Sequence, residues 1–231
     1  MKVSIIIPVY NEFRTFPLVL ERVRRAPLPA GCEREIVVVD DGSTDGTAQS
    51  TGVPSSDVTY LRIGHSGKGS AIRAGIERAT GDVILIQDGD LEYDPNDYAR
   101  LLEPIVSGAA EIVYGSRFLG AEAPMARRNR LANRLLAWTA NLLYGAGLTD
   151  EATAYKAFRV DVLRRMHLAC RRFEFCPEVT AKARRLGYRI HEVPVSYNAR
   201  GIAEGKKIRA RDGWEALWTL LRYRCASRSR L

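Results

Sequence analysis

Five apolar, β-branched runs separated by segments of helical spacing fill the first half of the chain: Val3 to Val9, Glu35 to Val39, Val58 to Ile63, Asp82 to Gln87 and Glu111 to Gly115. Runs that are apolar at successive positions, rather than alternately, belong to strands buried on both faces. Strands separated by helices pair through crossovers instead of hairpins. The helical segments are Phe16 to Arg25, Ser70 to Ala79 and one that starts at Asp94-Pro95 and runs to Val106. This alternation predicts an α/β fold with a mostly parallel central sheet covered by helices, in which ligands collect where strands end.

The loops at those ends carry the chemistry. The fourth run closes on Gln87-Asp88-Gly89-Asp90. An Asp-x-Asp pair alone is more often a solvated acidic turn, but at the end of a buried strand it can hold Mg²⁺ or Mn²⁺, which take oxygen ligands and complete their shell with water and diphosphate. Gly89 leaves room for close backbone approach to a ligand. The second run leads into Asp40-Asp41-Gly42-Ser43-Thr44-Asp45-Gly46-Thr47, a polar loop suited to ligand contact, in which Asp40 or Asp41 is placed to accept from a base N–H or a ribose hydroxyl. Gly67-Lys68-Gly69 fails the phosphate-loop pattern, because glycine follows the lysine and Arg62 stands where the first glycine belongs. Lys68 at a helix start either meets an anion or is an ordinary helix start. Arg117 ends the fifth run, on the same expected rim.

Charge divides the chain. Residues 1–120 carry 12 Lys and Arg against 17 Asp and Glu, a balance of −5, whereas residues 121–231 carry 23 against 10, a balance of +13. These stretches, 1–120 and the basic, amphipathic 121–231, are expected to be two halves of one domain. The basic half calls for an anionic partner, and nucleic acid, a phosphorylated substrate, an acidic membrane surface and plain solvent all remain open. Leu131, Leu135, Trp138, Leu142 and Leu143 repeat at helical spacing after the basic stretch Pro124 to Arg130, so this helix lies either at a lipid interface or on the sheet. A strand-like piece Ala152 to Phe158, a helix Phe175 to Leu186, an edge strand Arg189 to Tyr197 with Pro194, a basic loop Arg200 to Ile208 and a helix Trp214 to Tyr223 follow, with disorder expected from Ser227 to Leu231.

No run reaches the ~18 uninterrupted apolar residues of a spanning helix. Lys2 precedes too short an apolar run for a secretory signal. The expected location is cytoplasmic, with peripheral attachment to the inner face of the membrane. The four cysteines form no Cys-x-x-Cys pair and read as free thiols of a reducing compartment.

In this order the motifs resemble the family 2 glycosyltransferases, inverting enzymes of the Rossmann-like GT-A fold. The resemblance rests on Ser4 to Glu12, Val38 to Thr47, Lys68-Gly69 and Gln87 to Pro95, and extends through Gly115-Ser116-Arg117, Asn129 to Asn133, Thr149-Asp150, Glu192 to Val195 and Gly205 to Ile208. The later motifs are similar to the dolichyl-phosphate mannose and glucose synthase branch.

That resemblance implies that Pro8, Tyr10, Glu12, Asp40, Asp41, Lys68 and Asp88 hold the nucleotide, and that Asp88, Asp90 and Glu92 hold the metal, although the family often has Gln at the position of Glu92. It implies that Arg117, Arg130, Arg200, Lys206 and Lys207 meet the diphosphate or the acceptor, with Asp90, Arg117 and Asp150 at the reaction centre. The implied reaction moves a hexose from a GDP- or UDP-sugar to a polyprenyl phosphate. In the alternative, a soluble or glycolipid hydroxyl accepts the sugar and Asp150 is its general base. A nucleotidyltransferase or a nucleic-acid-binding module is the more distant reading, and no nucleic-acid motif supports the latter.

Overall fold

A computed structural model describes residues 1–49, 56–120, 125–199 and 210–227. A seven-stranded sheet of order β3-β2-β1-β4-β6-β5-β7 organises the chain. Its strands are β1 (Lys2–Val9), β2 (Glu33–Asp40), β3 (Val58–Arg62), β4 (Val83–Ile86), β5 (Ile112–Ser116), β6 (Lys156–Arg159) and β7 (His191–Pro194). β1 pairs parallel with both β2 and β4, β2 with β3, and β5 with β7. The fold is thus the mostly parallel α/β sheet that the sequence predicts.

The run of apolar residues in β1 is explained by burial on both faces. Ile5 and Ile7 pack with Phe16, Leu20, Tyr98 and Leu101 of α1 (Phe16–Arg25) and α3 (Tyr98–Val106). Ile6 faces the other way, into a core with Ile72 of α2 (Lys68–Arg78) and Val179 of α6 (Phe175–Arg185). In α1 the buried residues are Phe16, Val19, Leu20 and Val23, the i, i+3, i+4, i+7 stripe of a helix lying on a sheet.

The second half departs from expectation in two places. The piece read as Ala152 to Phe158 becomes a strand only from Lys156, and β6 inserts antiparallel between β4 and β5. A short helix, α5 (Val160–Arg165), follows it directly. The apolar stripe of α4 (Arg127–Tyr144) faces solvent: Leu131, Trp138 and Leu142 are 72%, 60% and 66% exposed, while Leu136, Ala137 and Ala140 make the inward contact. α7 (Ala210–Cys225) packs beside α4 and likewise exposes Trp214 and Trp218. As the sequence predicts, β7 with Pro194 forms an edge of the sheet. Residues 228–231 of the expected disordered tail lie outside the described residues.

Among the described residues no helix is long and apolar enough to cross a membrane. All four cysteines are free.

Candidate active site

A cavity of about 580 Å³ opens where β1, β2 and β4 end, and its wall includes Pro8, Tyr10, Glu12 and Asp41 from the first two loops and Lys68, Asp88, Asp90 and Glu92 from the next two. Tyr10 stacks on His65 with ring centroids 4.1 Å apart and planes 20° from parallel. These two rings give the cavity a flat aromatic wall.

The loop after β1 is fastened to the acidic loop after β2. Asn11, at φ 51°, accepts the Thr44 N–H at 2.8 Å, while the N–H groups of Asn11, Glu12 and Phe13 donate to Ser43 Oγ, Thr47 Oγ1 and Asp45 Oδ2 at 3.0, 2.9 and 3.1 Å. Much of the polarity that reads as ligand contact therefore builds the loop itself. Asp40 is fully buried and outside the cavity wall, accepting from Ser43 N at 2.7 Å and Tyr60 Oη at 2.6 Å. In this structure Asp40 buttresses the loop, and of the two aspartates offered for nucleoside contact only Asp41 lines the cavity. Asp41 does reach the wall, and its carboxylate accepts from Ser66 N at 2.7 Å and Gly67 N at 2.9 Å beside His65 Nδ1 at 2.8 Å. It shapes the turn that delivers Lys68.

The start of α2 is not an open anion site. Gly69 N and Ser70 N donate to the Arg172 and Arg171 carbonyls, both at 2.9 Å, and a Cβ on Gly69 would come within 2.9 Å of that segment. The cation here is the Lys68 side chain, 2.5 Å from Asp88 Oδ1. Burial opposes an ammonium, yet the Asp88 charge outweighs it and raises the Lys68 pKa.

Asp88 and Asp90 suit a hard divalent cation. Both reach the cavity, Asp90 from a buried position with its Oδ1 accepting from Glu92 N at 3.0 Å. Among the described residues no three His, Cys, Asp or Glu side chains converge on one metal position. Two carboxylates, with the remaining positions left to ligand oxygens and water, is the usual arrangement for Mg²⁺ and fits Mn²⁺ as well. The expected third ligand, Glu92, instead accepts from Tyr197 Oη at 3.0 Å. Gly89 serves packing as well as approach: a Cβ there would stand 2.9 Å from Val9 Cγ1.

Arg117 and Asp150 are brought together, but not into the cavity wall. Arg117 Nε and Nη2 donate to Asp150 Oδ2 and Oδ1 at 2.6 and 2.7 Å, the Arg117 backbone N–H adds a third bond at 3.0 Å, and Asp150 has no exposed surface. Burial again opposes the charge, but Tyr93 and Asp150 hold the Arg117 pKa well above the usual value. Both Asp150 oxygens are thus occupied by Arg117, and neither of these two expected reaction-centre residues lines the cavity in this structure. The next residue, Glu151, is also fully buried, with Oε1 accepting from Thr180 Oγ1 at 3.2 Å and Oε2 without a hydrogen-bond partner among the described residues. Its burial pushes the carboxyl pKa up to about 7. Arg130 lies in the first turn of α4, away from the cavity wall. Arg200, Lys206 and Lys207 lie outside the described residues.

Among the wall residues that the sequence reading did not single out are His65, Arg172, Phe173 and Arg211. His65 stands in the loop dismissed as a phosphate loop. Arg172 and Phe173 come from a turn before α6 that no periodic pattern marks, so only the tertiary contact with Gly67 and Gly69 reveals them.

A family model described as Glycosyl transferase family 2 matches residues 4–166. The chain is 33% identical over 222 residues to an undecaprenyl-phosphate mannosyltransferase of Micrococcus luteus, covering 89% of this chain and 87% of that protein. It is 32% identical over 219 residues to a polyprenol monophosphomannose synthase of Mycolicibacterium smegmatis, covering 87% and 79%. Among solved structures, glucosyl-3-phosphoglycerate synthase from Mycobacterium tuberculosis, in complex with Mg²⁺ and UDP, superposes with a TM-score of 0.73 over 99% of this chain and 81% of that one at 19% identity, which shows a shared GT-A fold.

Proposed function

Because the chain belongs to glycosyl transferase family 2 and is a glycosyltransferase, we propose that it moves a hexose from a GDP- or UDP-linked donor to a polyprenyl phosphate with inversion at the anomeric carbon. The observation that carries the choice of acceptor is the capping of Asp150 by Arg117. A hydroxyl acceptor needs a base to take its proton, whereas a phosphate monoester is already an anionic nucleophile. The names of the two bacterial relatives point to the same acceptor class.

In this reading Tyr10 and His65 offer a flat surface to the base, and Pro8, Glu12 and Asp41 border the nucleoside. Asp88 and Asp90 would hold Mg²⁺ or Mn²⁺, which supplies charge neutralisation on the departing diphosphate. Lys68 keeps a second positive charge beside Asp88. An acceptor phosphate oxygen attacks the anomeric carbon from the face opposite the leaving group. The bond to the diphosphate oxygen breaks, and nucleoside diphosphate departs with that electron pair. Arg200, Lys206 and Lys207 supply further cationic side chains for phosphate.

A lipid acceptor requires access from a bilayer. The adjacent helices α4 and α7 expose Leu131, Trp138, Leu142, Trp214 and Trp218, flanked by the exposed Arg127, Arg128, Arg134, Arg222 and Arg224. Apolar side chains bordered by arginines suit the interface of an anionic leaflet, and each basic residue near such a surface adds about 1 kcal/mol. The reading places the protein peripherally on the cytoplasmic face, with this helix pair against the lipid.

The test is product analysis of the purified protein with Mn²⁺ or Mg²⁺, a panel of UDP- and GDP-sugars and polyprenyl phosphate. Sugar recovered on the extracted lipid phosphate, and absent with Asp90→Ala, supports the reading. Donor binding with no lipid-linked sugar from any donor contradicts it.

A further inference from the structure

The cavity contains more cationic side chains than the donor chemistry above employs. Lys68 is engaged with Asp88, but Arg172 and Arg211 also line the wall and come from elements distant in sequence, the turn before α6 and the first turn of α7. Between them stands Asp212, only 5% exposed, with Oδ1 3.8 Å from both Arg172 Nη2 and Arg211 Nε. At that separation the carboxylate makes an ion-pair contact with each guanidinium without taking up its donors in short hydrogen bonds. Their side chains remain 43% and 61% exposed.

The reaction brings two anions, a diphosphate and an attacking phosphate, into one cavity. Like charges at close range need separate counter-charges, or one displaces the other from a shared cation. Asp88, Asp90 and Lys68 already provide for the diphosphate. A pair of guanidiniums on the cavity wall matches a phosphate monoester, whose oxygens accept paired N–H bonds. We propose that Asp212 is a positioning residue that holds Arg172 and Arg211 as a phosphate subsite for the acceptor. The assignment rests on polyprenyl phosphate being the acceptor.

Steady-state kinetics of the full chain, with donor and lipid phosphate varied separately, test this. Arg172→Ala and Arg211→Ala each raise KM for polyprenyl phosphate about tenfold, the loss of one charge-assisted contact, and leave KM for the nucleotide sugar within about twofold. Arg172→Lys recovers part of the loss because it keeps the charge. Asp212→Asn raises the same KM with little change in kcat, and adds little in the Arg172→Ala/Arg211→Ala background, because its effect runs through those two arginines. A merely structural role would instead lower kcat or the melting temperature without a selective change in acceptor KM. An unchanged lipid KM overturns the inference, and so does a parallel rise in donor KM, which would place the pair on the diphosphate. Wild-type protein that binds nucleotide but glycosylates no lipid phosphate overturns the acceptor reading itself, and the subsite with it.

Discussion

Arg117 and Asp150 form a bidentate ion pair at 2.6 and 2.7 Å in which the aspartate has no exposed surface, and Arg117 Cζ sits 5.0 Å from the centre of the Tyr197 ring. Removing one partner leaves the other charge buried and uncompensated, at a cost of about 3–5 kcal/mol. Asp150→Asn therefore lowers the unfolding free energy measured in urea by that order, while the folded fraction still binds nucleoside diphosphate. A variant of unchanged stability with transfer abolished would restore Asp150 to the role of base.

Gly89 tests how tightly the metal carboxylates are set by packing. A Cβ at this position meets Val9 Cγ1 at 2.9 Å, so Gly89→Ala must shift the turn that carries Asp88 and Asp90. Overpacking of this kind costs about 1–3 kcal/mol. The expected outcome is a lower melting temperature and metal-dependent nucleotide binding weakened by about tenfold or more, read by titration calorimetry.

The strands and the acidic wall of the cavity were legible because strand-end loops are local: Pro8, Tyr10, Asp41, Lys68, Asp88 and Asp90 sit within a few residues of apolar runs that announce themselves. Arg172 and Arg211 were not, since only the packing of the 171–172 backbone on Gly69 and the docking of α7 bring them there. Asp40 and Asp150 show the opposite limit. Sequence pattern marks an acidic residue at a strand's end, but whether its oxygens face a ligand or are taken by Tyr60 or Arg117 is a tertiary matter. The stripe of α4 was legible but its facing was left open between lipid and sheet; Ala137 and Ala140 allow a close inward contact that leaves the larger residues outside.

Glu151 gives stability a pH dependence of definite sign. Its folded pKa of about 7 lies above the unfolded value, so the folded state binds the proton more tightly. The resulting stabilisation is complete below about pH 4 and is lost as pH rises toward 7, amounting to about 3 kcal/mol at 1.36 kcal/mol per pKa unit. Glu151→Gln, neutral throughout, is expected to be more stable than the wild type at pH 8 and to lose that advantage at pH 4.5, as measured by chemical denaturation. A constant difference across this range would show that Glu151 does not titrate between the two.

The exposed helix pair predicts a binding surface with two components. Trp138→Ser with Trp218→Ser removes apolar area from α4 and α7, each side chain 60% or more exposed, without opening the core. Sedimentation with anionic phospholipid vesicles should show affinity reduced by about tenfold or more, from about 1.5–3 kcal/mol for each large apolar side chain no longer buried. Raising salt should weaken what remains. Unchanged sedimentation would remove this face from the account of lipid access.

The most direct test of the central claim is a competition between polyprenyl phosphate and the corresponding free polyprenol, offered together with donor and Mn²⁺, with each glycosylated lipid quantified by mass. The account predicts sugar on the phosphate alone, lost in Asp90→Ala and retained by folded Asp150→Asn. Sugar on the alcohol, dependent on Asp150, would contradict it.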